Sequence, residues 1–172
     1  MVEQYASELR IPKERVAVLI GAKGAAKRSI ERKTKTKITV LKDGEVIVVS
    51  EDAVQSYLVS VIVRAIGRGF NPDIALILLD EQNTLEVIDI KSFTKGSKKK
   101  MARLKSRLIG KQGKARSMIE MLTQTHISIY GKTASIIGEI NNVLLARQAM
   151  EKLLQGAPHG NVYNYIQHQK KA

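Results

Sequence analysis

The chain contains no cysteine and no tryptophan, and only two phenylalanines and five tyrosines. Without cysteine there can be no disulfide, no thiolate zinc site and no cysteine nucleophile. The three histidines, His126, His159 and His168, have no spacing that suits a metal. No Walker loop occurs, and no nucleophile sits beside a candidate base, so no enzyme, cofactor or small-molecule substrate is expected. The shortage of aromatics argues against surfaces that bind nucleic acid by stacking bases on rings. No apolar run approaches the roughly 20 residues that cross a bilayer. The opening Met1-Val2-Glu3-Gln4 lacks the charged and apolar regions of a secretory signal. The expectation is a cytoplasmic protein with no membrane association.

What the sequence has in excess is positive charge. Lys and Arg number 29 against 16 Asp and Glu, for a net charge of +13 in 172 residues. Such a balance points to a polyanionic partner, nucleic acid by default. Hydrophobic residues make up 44% of the chain, enough to bury a core.

The chain also repeats itself at a shift of 89 residues. Leu19-Ile20-Gly21 matches Leu108-Ile109-Gly110, Gly24 matches Gly113, and Ala26 matches Ala115. Ile30-Glu31 matches Ile119-Glu120, and Thr34, Thr36 and Ile38 match Thr123, Thr125 and Ile127. Two domains are therefore expected, at residues 1–81 and 82–172. In the first, the pattern predicts a strand over 7–11 and a helix from Pro12 to about Ile20. The glycine loop precedes a second helix over 25–33. Lys37–Leu41 alternates as a strand, Asp43-Gly44 is a hairpin signal, and 46–49 is the returning strand. Ser50 or Asp52 can cap a long helix whose apolar stripe reads Val54, Leu58, Val61, Ile62 and Ala65. The second copy reads as strand 85–90, helices 98–109 and 114–123, a hairpin of 126–130 and 134–137, and a helix over 141–154. Val143, Leu144, Met150, Leu153 and Leu154 are that helix's core candidates. Between the copies, 73–79 reads as a short apolar helix, expected to pack against the domains and hold them in a fixed relation. The tail over 160–172 reads as a helix docked on the second domain or as a partner-binding peptide.

The order strand, helix, Ile-Gly-x-x-Gly, helix, strand, strand, helix resembles the type I KH domain, twice over. The resemblance implies an α+β fold of two tandem domains, each a three-stranded antiparallel sheet packed with three helices on one face. It also implies that each glycine loop clamps the backbone of about four nucleotides of single-stranded RNA. Chemistry suits this. Glycine lets the chain approach a ligand closely, and the following helix start offers N–H donors and partial positive charge. A single G-x-x-G is more often a plain turn; two at matched positions, in matched topology, on a basic chain favour the RNA reading. The candidate RNA-binding residues are Gly21, Ala22, Lys23, Gly24, Lys27 and Arg28 in the first copy. In the second they are Arg107, Gly110, Lys111, Gln112, Gly113, Lys114 and Arg116. By analogy, Ile38 and Ile127 would help to floor a groove for bases. From Lys91 to Arg116 there are eleven basic residues (Lys91, Lys95, Lys98, Lys99, Lys100, Arg103, Lys105, Arg107, Lys111, Lys114 and Arg116) and no acidic one. The second loop is accordingly expected to dominate affinity, with the first auxiliary or retained for docking.

Two stretches, Gly67-Arg68-Gly69-Phe70 with Pro72 and Gly156-Ala157-Pro158-His159-Gly160-Asn161-Val162-Tyr163, resemble the KH proteins of the Dim-two (Partner of Nob-one) and Krr-one group in its short archaeal form. That resemblance implies binding near the 3′ end of small-subunit rRNA. It implies assembly proteins of the precursor subunit as partners, including the Nob-one-type maturation nuclease, and the translation initiation machinery. General RNA adaptors in decay or transcription, and a protein-interaction scaffold, are the alternative readings.

Overall fold

A computed structural model describes all 172 residues. The chain forms two compact units, residues 1–80 and 81–172. The first unit runs β1 (Tyr5–Arg10), a 3₁₀ turn (Lys13–Arg15), α1 (Val16–Ile20), the glycine loop, α2 (Ala25–Thr34), β2 (Lys37–Val40), β3 (Glu45–Ser50), α3 (Ala53–Gly67) and α4 (Pro72–Ala75), which runs into a 3₁₀ turn over Leu76–Leu79. The second runs β4 (Asn83–Asp89), a 3₁₀ turn (Ile90–Phe93), α5 (Lys98–Ile109), the second glycine loop, α6 (Lys114–Thr123), β5 (His126–Tyr130), β6 (Thr133–Glu139), α7 (Ile140–Leu154) and α8 (His159–Lys171).

Each sheet is antiparallel, in the order β1-β3-β2 or β4-β6-β5. Alternation along the strands sends one set of side chains toward the helices. In the first unit these include Ile38, Val46 and Val48, all essentially inaccessible. In the second, Ile88, Ile127, Ala134 and Ile136 join Leu104 and Leu108 of α5, Ile119 of α6, Val143, Met150 and Leu153 of α7, and Val162 and Ile166 of α8 in one core. The tail is therefore a helix docked on the second unit.

Much of what the two copies share in sequence serves this scaffold. Glu31 Oε2 accepts the Ile38 N–H at 3.0 Å, and Glu120 Oε2 accepts the Ile127 N–H at 3.2 Å. The Thr34 and Thr123 hydroxyls each donate to a carbonyl four residues back, of Ile30 and Ile119, and each meets a second threonine hydroxyl, Thr36 or Thr125, at 2.8 Å. These residues bind the turn from the second helix of each copy to its next strand. The shift of 89 does not hold throughout, however. Ile11 N–H donates to the Gly44 carbonyl and Ile90 N–H to that of Lys132, equivalent bonds whose donors lie 79 positions apart. The glycine loops lie 89 apart, so ten residues are inserted in the second unit between its first strand and its glycine loop. They make the turn at 90–93 and lengthen the first helix from five residues to twelve.

Two helix faces differ from expectation. On α3 the buried set is Ser56, Val59, Ile62, Val63, Ala65 and Ile66, while Val54 is exposed and Leu58 and Val61 are half-buried. The helix is apolar nearly all round, so periodicity alone does not choose its face. The Ser7–Ser56 hydroxyl bond, 3.0 Å, fixes the orientation that turns Val54 outward. On α7, Leu144 is exposed and the small Ala146 and Ala149 are buried instead, where the helix lies close to its neighbours. Asp52 caps α3, accepting the Val54 N–H at 2.8 Å, while Ser50 Oγ accepts the Asp52 N–H.

Candidate nucleic-acid interface

The two glycine loops have the same backbone. Gly21 and Gly110 adopt φ/ψ of 75/175 and 74/175. Lys23 and Gln112 are left-handed at φ 52 and 56, and Gly24 and Gly113 at φ 77 and 75. Most of these conformations are costly for residues with a Cβ. The first glycine has a second cause. A Cβ on Gly21 would sit 2.7 Å from the Ala26 Cβ and 2.8 Å from its backbone nitrogen; on Gly110 the distances to Ala115 are 2.6 and 2.7 Å. The first glycine thus lets the next helix start hard against the loop, which explains the matched Ala26 and Ala115. Gly113 has open space beside it and is required by backbone angle alone.

This geometry leaves the middle pair outermost. Ala22, Lys23, Lys111 and Gln112 are all exposed. No side chain caps α2 or α6, whereas Asp52 caps α3 and Ser97 caps α5. Backbone closes both helix starts: the Gly24 and Ala25 N–H groups donate to the Gly21 and Ala22 carbonyls, and the Gly113 and Lys114 N–H groups to those of Gly110 and Lys111, with the positive end of each helix dipole behind the loop. An anion at either loop would meet the positive end of a helix dipole and side-chain cations together.

The surroundings distinguish the two loops. Lys27 pairs with Glu31 at 3.2 Å, and Arg116 with Glu120 at 3.6 Å, so one flanking cation in each copy is partly offset. Arg28 lies against Gly24, its guanidinium 2.9 Å from where a glycine Cβ would stand; its counterpart in the second copy is Ser117. No carboxylate lies within ion-pair distance of Lys98, Lys99, Lys100, Arg103, Lys105, Lys111 or Lys114. The second loop therefore stands at the end of a strip of uncompensated charge.

Three of the expected RNA contacts are placed elsewhere by the fold. The Arg107 guanidinium donates to the Leu153 carbonyl at 3.1 Å and to the Ala157 carbonyl at 2.5 Å, closing the end of α7. Arg15 does the same in the first unit, donating to the Ile66 and Phe70 carbonyls at 2.8 Å each. Arg107 is a structural clamp, and its charge is spent on carbonyl oxygens. Ile38 and Ile127 are 1% and 3% exposed and belong to the core. Val40 and Ile129, two positions further on the same faces, are half-buried, Ile129 packing at the edge of the core; the period of two is the signal that finds them.

The clamps account for the two C-terminal stretches singled out in the sequence. Gly-Arg-Gly-Phe supplies the Phe70 carbonyl, and Ile66 just before it a second one, for Arg15; the turn before α8 supplies that at 157 for Arg107. His159 then closes the second unit by donating from Nε2 to the Arg107 carbonyl, 2.9 Å. Tyr163 packs its ring against His159 at 6.3 Å, and burial pushes its phenol above its ordinary pKa.

Comparison with known proteins agrees with this geometry. Residues 84–171 match the family described as eukaryotic type KH-domain (KH-domain type I), in its PNO1 second-domain form, and residues 7–57 match the KH domain. The chain belongs to the PNO1/Dim2-type KH-domain proteins. It is 44% identical over 167 residues to a KH domain-containing protein of Methanocaldococcus jannaschii, covering 95% of this chain and 73% of that one. It superposes with a TM-score of 0.91 and 42% identity on a chain of the a/eIF2alpha-aDim2p-rRNA complex of Pyrococcus horikoshii, covering 98% of this chain and 95% of that one. It is 33% identical over 108 residues to the pre-rRNA-processing protein pno1 of Aspergillus oryzae. That match takes in 60% of this chain and 41% of the fungal one, so the chain spans about two fifths of its eukaryotic relative. No helix is long and apolar enough to cross a membrane.

Proposed function

We propose that this protein binds the 3′ region of small-subunit rRNA through its second KH domain and acts in maturation of that RNA. One observation carries the reading. Gly110-Lys111-Gln112-Gly113 presents two exposed side chains and a helix start without a side-chain cap, and beside it Lys105, Lys111 and Lys114 have no carboxylate partner. A sugar-phosphate strand supplies the regularly spaced negative charge that such a surface lacks. Lys111 and Lys114 contact phosphates, Arg116 contributes from its loose pair with Glu120, and Ile129 meets bases beside the loop. The first loop, with Lys23, Lys27 and Arg28, is an auxiliary contact.

The related Pyrococcus protein, similar over nearly the whole of both chains, was solved with rRNA and a/eIF2alpha; this supports rRNA as the ligand and an initiation-factor subunit as a protein partner. The fungal relative's designation in pre-rRNA processing supports the same setting. The protein works by binding rather than catalysis, holding the RNA for a separate maturation nuclease. Crosslinking followed by sequencing of the bound RNA tests this. Reads concentrated at the 3′ end of small-subunit rRNA are expected; reads spread over mRNAs would sink the proposal and favour a general adaptor.

A further inference from the structure

The ten residues inserted in the second unit carry a surface that the glycine loop does not require. The α5 helix begins with Lys98, Lys99 and Lys100, all at the end of the helix where the dipole disfavours cations, and its first turn contains no acidic residue. Ser97 caps it, accepting the Lys100 N–H at 3.1 Å. A cationic first turn is a local choice against helix stability, of the kind found where function demands it.

The exposed positions of α5 fall on one stripe. At 100° per residue, Lys98, Lys99, Ala102, Arg103, Ser106 and Ile109 lie within less than half of the helix circumference. The buried Leu104 and Leu108 lie opposite. The stripe runs without interruption from Lys98 to Ile109, which adjoins Gly110. Lys98 and Lys99 stand at its far end, Arg103 with the small Ala102 and Ser106 in its middle, and the clamp at its near end. Twelve residues at roughly 1.5 Å each make it about 18 Å long, or about five nucleotides at the ~3.4 Å spacing of a stacked strand. The loop clamps only about four. Lys95, in the turn before α5, is also exposed. No first-unit counterpart exists, because α1 has five residues and none of them is charged.

Resting on the reading that the second loop clamps RNA, we infer that Lys98, Lys99 and Arg103 form a second phosphate contact, engaging nucleotides beyond those held at the loop. The ligand is the continuing single strand. An acidic protein segment fits less well: the stripe offers Ile109 as its one large apolar side chain, and protein interfaces depend on buried aromatic or aliphatic anchors. A sugar-phosphate chain needs none.

The contact makes affinity depend on RNA length, and the test uses that. Fluorescence anisotropy of the full chain would be measured with a five-nucleotide and a twelve-nucleotide RNA of the same 3′-terminal rRNA sequence, at 0.15 M salt. There the Debye length is about 8 Å, so charges at the far end of α5 are screened from the loop. The triple variant Lys98→Gln/Lys99→Gln/Arg103→Gln should weaken twelve-nucleotide binding at least tenfold and reduce its salt slope by about 2, at about 0.7 per phosphate. Its affinity for five nucleotides should stay within twofold of the unaltered chain. Its melting temperature should not fall, since two cations leave a disfavoured helix end. Equal loss on both lengths would overturn the second contact in favour of a diffuse field. No loss on either would overturn it and leave the stripe to an acidic protein. Lys111→Asp/Gln112→Asp, measured alongside, should lose both lengths; if it loses neither, the clamp reading itself has failed, whatever the triple variant does.

Discussion

Replacing Lys111 and Gln112 together by aspartate separates binding from folding more cleanly than any other change in this protein. Both side chains are exposed and neither forms an ion pair or hydrogen bond. Gln112 is left-handed at φ 56, a conformation that aspartate tolerates better than most residues. New carboxylates just before the start of α6 also suit its dipole. The fold should be indifferent. Binding should not be. The change moves the loop by three charges, from +1 to −2. One charge-assisted contact is lost, worth about 1.5–3 kcal/mol. Two carboxylates then face phosphates at about 4 Å, each costing about 1 kcal/mol even in a water-like dielectric. The sum, about 4 kcal/mol, is an affinity loss approaching a thousandfold. A titration of 3′-terminal small-subunit rRNA by anisotropy, paired with a thermal melt, measures both. Ala22→Asp/Lys23→Asp in the first loop makes a matched control, predicted to cost less than tenfold. If the second-loop variant binds within a few-fold of the unaltered chain while melting normally, the assignment of the clamp is wrong.

Other perturbations probe the scaffold. Arg107→Ala leaves the Leu153 and Ala157 carbonyls without their charged donor; a loss of about 2 kcal/mol should lower the melting temperature of the second unit by roughly 10 °C, while RNA affinity measured well below the melt stays unchanged. Gly110→Ala should unfold or distort the second loop, because the new methyl would meet backbone at 2.7 Å. Gly113→Ala meets open space and should cost only the left-handed strain of about 1–2 kcal/mol; comparing the two by thermal melt checks the distinction. Burial raises the Tyr163 phenol in the folded state. Its contribution is thus complete below the unfolded value near 10 and is lost as pH rises through the higher folded value. Tyr163→Phe should flatten this alkaline decline in melts taken from pH 9 to 11.

Much of the architecture was legible because the sequence states it twice. The matched Gly, Ala, Ile and Thr positions located both loops and both helix-to-strand turns, and the strand alternation located the sheets. The inserted ten residues were not legible, because the shift of 89 holds from the glycine loops through β2 and β5, and that long match conceals the offset before them. Faces of α3 and α7 were misread where apolar residues surround the helix, or where alanine rather than leucine fills a tight contact. The basic run was visible in the sequence, but its partition was not. Arg107 reads like its neighbours in composition, yet its guanidinium reaches carbonyls 46 and 50 residues away. Such long-range acceptors leave no local trace. Ile38 and Ile127 show the converse: the sheet alternation sends both into the core, and the half-buried positions on the same faces lie two residues further on.

The most direct test of the central claim is ultraviolet crosslinking of the full chain to 3′-terminal small-subunit rRNA, with the crosslinked peptides identified by mass spectrometry. Peptides spanning Gly110–Gly113 should carry most of the RNA adducts, and those spanning Gly21–Gly24 few. Adducts concentrated on the first loop, or absent from the second, would contradict it.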